Sequence, residues 1–396
     1  MSHAETFLPS NHNSQTHSMY GAKRWLWLMG FIPPALPVFG YLLVQATGWP
    51  LFYWFGPIFI LSVVLIDFIV GVDKSSYAVS EIAAVENESY YRWVANLVMP
   101  IQYGSLIWSA WMLVHGGLNA FDTLGLAATL GIANGICITN AHEIGHKPEK
   151  LERWLAKFVL APTFFGHFTT EHNGGHHVWA ATPEDFSSAR MGESFYVYFP
   201  RTLIGGIREA WTLEKQRLAR RGMSHWSWRN DALSAWIVTP VLFAGLATWL
   251  GWSVLPWLIL QGFIGLTMLE MVNYVQHYGL LRAKRRDGRY QPCEPRHSWN
   301  SSHLATNIML YHLPRHSDHH AHPMRHYQAL RHFEEAPQLP TGYAGMSLAT
   351  LIPPLWSRIV DPVLVAHAEG DLDRINVHPP AKARLARRWA AARSAP

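Results

Sequence analysis

Nine histidines, grouped in four runs, carry the chemistry open to this sequence. His142 and His146 stand in Ala-His-Glu-Ile-Gly-His-Lys, and His172, His176 and His177 in Glu-His-Asn-Gly-Gly-His-His. His277 ends Glu-Met-Val-Asn-Tyr-Val-Gln-His, and His316, His319 and His320 lie in Leu-Pro-Arg-His-Ser-Asp-His-His-Ala-His. Pairs three or four residues apart share one helical face. Imidazole is the commonest protein ligand for a transition metal, and crowded neutral imidazoles imply a cation between them. Nine nitrogens exceed the needs of one ion and fit two ions with four or five each. Ligand type alone leaves iron, copper and zinc open. Pro314 is expected to open the helix bearing His316, which leaves His312 off the metal-facing side; His322 and His326 fall behind the cluster.

Other residues in the same runs have narrower possible roles. Glu143, Asp185, Glu270, Asn273 and Asp318 are candidates for the groups that orient the ligating rings and offset their charge. Glu270, Asn273 and His277 share a face at i, i+3 and i+7. His142-Glu143-Ile144-Gly145-His146 is also a literal zincin signature, with Glu143 as general base; that reading leaves the other His runs unexplained. The Gly174-Gly175 pair weakens any regular helix between His172 and His176. Asp67, His297 and His303 are open between functional and structural roles.

The elements that must position these residues are membrane helices. The chain of 396 residues holds 23 His and 19 Trp, and a mean hydropathy near zero conceals two populations of segments. Six apolar runs, near 24–46, 51–71, 95–116, 121–141, 232–251 and 253–276, reach the roughly 20 residues needed to cross a bilayer. The connections near 47–50, 117–120 and 252 carry no Lys or Arg, so the basic segments share one face, which is expected to be cytoplasmic with both termini. The fold class is therefore all-α: a six-transmembrane-helix bundle with a cytoplasmic His-rich cap. Its parts are a tail (1–20), spans one to four (21–141), a first His region (142–231), spans five and six (232–276), a second His region (277–375) and a C-terminal tail (376–396). The two tails read as polar and without need of order.

The net charge of +5 reads as topology and attraction to anionic membrane lipid, not as nucleic-acid binding. Two cysteines, Cys137 and Cys293, with no C-x-x-C, exclude a zinc ribbon, a rubredoxin-type site and a disulfide framework. No basic segment precedes an early apolar core, so a cleavable leader is not expected. Residues 200–231 read as a basic amphipathic segment on the membrane surface, and 348–355 as a cap or re-entrant piece.

These runs together resemble the AlkB-type alkane 1-monooxygenases, integral membrane non-haem di-iron hydroxylases. The resemblance rests on 141–147, 171–177, Arg-Met-Gly-Glu-Ser at 190–194, Asn-Tyr-Val-Gln-His-Tyr-Gly-Leu at 273–280, Arg-His-Ser-Asp-His-His-Ala-His-Pro at 315–323 and Pro-Thr-Gly-Tyr at 340–343. It extends from the first span to about residue 375, and each of the family's nine ligand histidines meets a His here. Ala141 replaces an expected Gly and Phe186 an expected Pro; neither removes a ligand.

The resemblance implies two iron ions, O₂, a medium-chain linear alkane as substrate, and electrons from a rubredoxin, separate or fused, with its reductase. It implies a multi-pass protein of the bacterial inner membrane. The basic stretches Arg282–Arg289 and Lys215–Arg221 would suit an acidic rubredoxin, and Trp54, Phe55 and Phe59 are candidates for limiting chain length. A fatty-acyl desaturase or hydroxylase of the same superfamily, a zinc intramembrane protease and a metal carrier are the competing readings.

Overall fold

A computed structural model describes residues 23–393. The N-terminal tail 1–20 and the last three positions lie outside the described residues. Among the described residues the chain is helical throughout, with only isolated bridges of β type. Six helices are long and apolar enough to cross a membrane: α1 (Lys23–Thr47), α2 (Pro50–Val70), α3 (Ser89–His115), α4 (Ala120–Gly145), α6 (Asp231–Leu250) and α7 (Trp252–Gln276). Between them runs α5 (Phe195–Ala219), and after them α8 (Leu304–Met309), α9 (His316–Ala321), α10 (Tyr343–Thr350), α11 (Pro353–His367) and α12 (Lys382–Arg393). α3 begins earlier than hydropathy indicates because Ser89–Asn96 is amphipathic; Tyr91 and Val94 turn inward ahead of the apolar run.

α4 is the hub. Some 89 % of its apolar window is buried, against 22–44 % for the other spans, and α1, α2, α3 and α7 all pack on it. Asn119 caps its start, its side chain accepting from the Asp122 N–H at 3.0 Å. Small residues let α7 come close, as membrane helix pairs require when no hydrophobic force drives them together. A Cβ on Gly265 would stand 2.6 Å from Thr163 Cγ2 and about as near the backbone of Gly131 and Gly135 as 3.0 and 3.1 Å. Gly265→Val is therefore expected to cost roughly 1–3 kcal/mol, the range for overpacking. Thermal unfolding of the detergent-solubilised protein should show this as a lowered Tm.

Asp67 of α2 is a cap. It accepts from the Thr306 backbone N–H at 3.0 Å and from the Thr306 hydroxyl, tying α8 to the membrane bundle. α5 buries Phe195, Tyr198, Thr202 and Ala210 while exposing Tyr196, Val197, Ile204 and Ile207, the two-sided character expected of a surface segment. Residues 348–355 do not dip back into the bundle as one piece; they join α10 to α11. The polar C-terminal region is more ordered than its composition indicated: 382–393 is helical, and Leu385 is buried in the core formed with Trp356 and Leu364.

Candidate metal centre

α4 continues four residues beyond its expected membrane end, which carries His142 inside the helix and leaves His146 as its C-cap. α9 starts at His316, with Arg315 as N-cap. Pro314 therefore precedes the helix and does not open it; it accepts from the Ser301 N–H at 2.9 Å. The rings of His316, His319 and His320 still share the inner face. Between His172 and His176 the backbone forms a π turn, a widening common at functional sites, which the two glycines permit.

The π turn has a consequence that α-helical spacing did not indicate. His172 and His176 stack at 5.0 Å between ring centroids, yet they belong to different groups. His142, His146, His172, His177 and His319 form one set of potential ligands and His176, His277, His316 and His320 another, with the nitrogens of each set within 4.8 Å of one another. The two sets touch: His177 and His320 stack at 4.4 Å.

The rings fit cations. The Nε2 atoms of His142 and His146 are buried without a hydrogen-bond partner. In the second set three Nε2 atoms form a triangle, His277–His316 at 3.1 Å, His277–His320 at 3.0 Å and His316–His320 at 2.9 Å. His177 Nε2 lies 3.1 Å from Nε2 of both His172 and His319. His277 Nδ1–H donates to the His297 carbonyl at 2.8 Å, so its Nε2 presents a lone pair to the triangle. For bonds of about 2.1 Å, nitrogens at right angles stand ~3.0 Å apart and tetrahedral ones ~3.4 Å; the observed spacing matches the former. Burial first, and neighbouring imidazoles next, hold His146, His172, His177, His316, His319 and His320 well below their usual pKa, the neutral form that binds metal.

The five polar candidates separate sharply. Asp185 accepts from His176 Nδ1–H at 2.9 Å and from Ser188 Oγ at 2.6 Å, and so orients a ring. Burial would raise its carboxyl, but the His176 ring and these hydrogen bonds hold it below the usual range. Glu270 accepts from Tyr198 at 3.3 Å and from Asn273 at 3.4 Å, so this pair anchors α5 to α7. Glu143 is turned away: it pairs with Lys147 at 2.8 Å and accepts from the Tyr327 N–H at 3.3 Å. Its use as general base beside His142 and His146 does not match this geometry. Asp318, fully buried, also turns away from the rings, gripped by Arg325 at 2.5 Å and by the Arg331 N–H at 2.8 Å. It sits two residues from His316, about 200° around the helix.

Of the histidines left open, His297 contributes its carbonyl, while its ring accepts from the Glu294 N–H at 2.9 Å. His303 bonds Ser301 Oγ at 2.9 Å. His312 is buried against Trp27 and donates Nδ1–H to the Tyr327 carbonyl at 2.9 Å. Two further acids lie near the centre, neither among the candidates above: Glu171, which precedes His172 in its run, and Glu209, which has no local signal in the sequence. Glu171 is buried and accepts from Ser187 Oγ at 3.3 Å. Burial, and then the charges of Asp185, Glu209 and Glu270, push its carboxyl well above the usual range. Glu209, half-buried against Gly175, is pushed up to about 7, chiefly by burial.

Beside the centre, a cavity of about 460 Å³ runs among α2, α4, α7, α8 and α10. Its wall includes Phe59, Ile136, Met268 and Leu310, and also Thr139, one helical turn before His142. Of the three aromatic residues considered for chain length, Phe59 lines it. Trp54 packs on Phe121 and over Gly125, and Phe55 lies against Phe52 beside Gly40.

The fatty acid desaturase family model matches residues 122–349, which contain all nine imidazoles. Over 374 residues the chain is 43 % identical to alkane 1-monooxygenase 1 of Alcanivorax borkumensis, across 94 % of this chain and 92 % of that protein. It is 43 % identical to alkane 1-monooxygenase of Pseudomonas putida over 361 residues, 90 % and 89 % of the two chains. With the Acinetobacter baylyi alkane 1-monooxygenase it shares 40 % over 370 residues, 92 % and 90 %. The chain belongs to the alkane 1-monooxygenase family.

Proposed function

We propose that this protein hydroxylates the terminal carbon of medium-chain linear alkanes, converting alkane, O₂, two electrons and two protons into primary alcohol and water. The observation that carries the reading is the apolar cavity whose wall reaches Thr139, one helical turn before His142 of the nine-imidazole centre, within a family whose curated members are named for this reaction. Two iron ions would be held, one by His142, His146, His172, His177 and His319, the other by His176, His277, His316 and His320. When bound, they supply the activation of O₂ that attack on a methyl C–H bond requires. The protein's own part is placement. The cavity walls are apolar, and a chain held there with its end toward the centre would have its terminal carbon selected by position. Asp185 and the His297 carbonyl fix the rings of His176 and His277 with Nε2 turned inward.

Electrons come from a rubredoxin, separate or fused, fed by its reductase. The protein lies in the bacterial inner membrane with the His cap and both termini on the cytoplasmic side, a reading supported by short connectors at 48–49, 116–119 and 251 that lack Lys and Arg. The test is octane turnover by the purified protein in lipid nanodiscs with rubredoxin, reductase and NADH. 1-Octanol is the expected product. Oxidation of an acyl thioester with none of octane would replace the alkane by an acyl chain. Phe59→Ala opens the cavity wall and is expected to move the preferred substrate to longer alkanes, read by gas chromatography of products from a mixture of chain lengths. An unchanged profile would remove Phe59 from the channel.

A further inference from the structure

We propose that the surface over His177 is the docking site of an acidic one-electron carrier protein and the point at which electrons enter the five-imidazole group. The inference rests on the oxygenase reading above. Eight of the nine imidazole residues are buried; His177 is intermediate. Its ring nitrogens stay inside, with Nε2 3.1 Å from both His172 and His319, while part of the residue reaches the surface. The next two residues, Val178 and Trp179, are 50 % and 38 % exposed, although they lie outside all six candidate spans. Apolar side chains exposed beside a metal group have an interaction as their simplest use.

A basic hairpin borders this patch. Arg282 clasps it, donating Nη2–H to the Val178 carbonyl at 2.6 Å and its N–H to the Ala181 carbonyl at 2.8 Å. The chain then turns at Asp287-Gly288, with Arg285 N–H donating to the Arg289 carbonyl at 2.7 Å. Tyr290 donates to Glu184 at 2.7 Å, which lays the hairpin along the 178–185 segment. Lys284, Arg285, Arg286 and Arg289 are exposed; the acids beside them are Asp287 and Glu184, the latter 3.9 Å from Lys284. An apolar centre with a predominantly basic rim suits brief, steered encounters.

A second basic region, the groove beside His146, fits less well. His146 is buried there, and four of the groove's six cations are already paired: Lys147 with Glu143, Arg153 and Lys157 with Asp231, each at 2.8 Å, and Arg217 with Glu214 at 2.5 Å, which leaves Arg220 and Arg221. At the His177 surface each encounter would oxidise the carrier's metal by one electron and deliver that electron to the metal that His142, His146, His172, His177 and His319 would hold. Two encounters serve one turnover.

Rubredoxin binding to the full chain in neutral-lipid nanodiscs, with and without iron, tests this directly. Arg285→Glu/Arg286→Glu and Trp179→Ala are each expected to raise Kd about tenfold, to flatten its salt dependence in the charge-reversed case, and to leave iron content unchanged. Arg220→Glu/Arg221→Glu should change Kd less than twofold. In the wild type, a zero-length carbodiimide should join Lys284 to a rubredoxin carboxylate, a result independent of any variant's folding. Crosslinks at Lys157 or Lys215 instead, or the opposite pattern of Kd changes, would overturn the assignment. So would variants that lose affinity only for anionic vesicles, since that makes the hairpin a lipid contact. If rubredoxin neither binds nor supports octane oxidation in the wild type, the carrier-fed oxygenase reading fails with it. If it does both and the hairpin variants behave as wild type, only the docking site is wrong.

Discussion

His277→Ala is expected to halve the iron content and to lower octane turnover by about 100-fold or more. Loss of a group that merely orients a ligand already costs roughly 10–100-fold, and His277 is itself one of the proposed ligands. It is fully buried, its Nδ1–H is fixed by the His297 carbonyl, and its Nε2 lies 3.0–3.1 Å from two other rings of the four-imidazole set. Removing it leaves three nitrogens for that ion and five for the other, so the loss should be selective. Metal analysis beside a thermal unfolding curve checks this. Retention of two irons per chain would remove His277 from the ligand set, and loss of the folded protein would make its role structural.

Asp185→Asn should lower iron affinity or activity by roughly 10–100-fold. The amide keeps the size of the carboxylate but loses its charge, and the carboxylate is what accepts from both His176 Nδ1–H and Ser188 Oγ. The ring of His176 is then free to turn, and its Nε2 no longer faces His277 and His320. Iron titration of the metal-free variant measures the effect. The companion substitution Asp318→Asn separates this account from a general need for buried acids. Asp318 holds Arg325 and the Arg331 backbone, with no contact to a ligand ring, so its loss should act on stability and leave the iron content of the folded fraction unchanged.

These two acids show how far the sequence could be read. All nine imidazoles were legible because each lies in a run with another polar group at helical spacing, and the six apolar stretches placed those runs at one end of a bundle. What spacing could not settle was direction. Glu143 and Asp318 stand beside proposed ligands in sequence but point away from them, because adjacent residues differ by about 100° around a helix; Glu143 pairs with Lys147 one turn on and with the distant Tyr327 N–H, and Asp318 with Arg325 seven residues on. Asp185 reaches His176 from a loop nine residues on, a contact that no periodicity predicts. The division of His172 from His176 across a π turn, like that of His319 from His316 and His320 on α9, could not be read from spacing. Glu209 becomes a neighbour of the centre only when α5 packs across it, and α12 acquires its order from Leu385 entering a core built by α11.

Anomalous scattering at the iron edge from crystals of the purified protein bears most directly on the claim that two metal ions divide the nine imidazoles. Two peaks are expected, one bordered by His142, His146, His172, His177 and His319 and the other by His176, His277, His316 and His320. One peak alone, a signal at the zinc edge instead, or His172 and His176 on the same ion would contradict it.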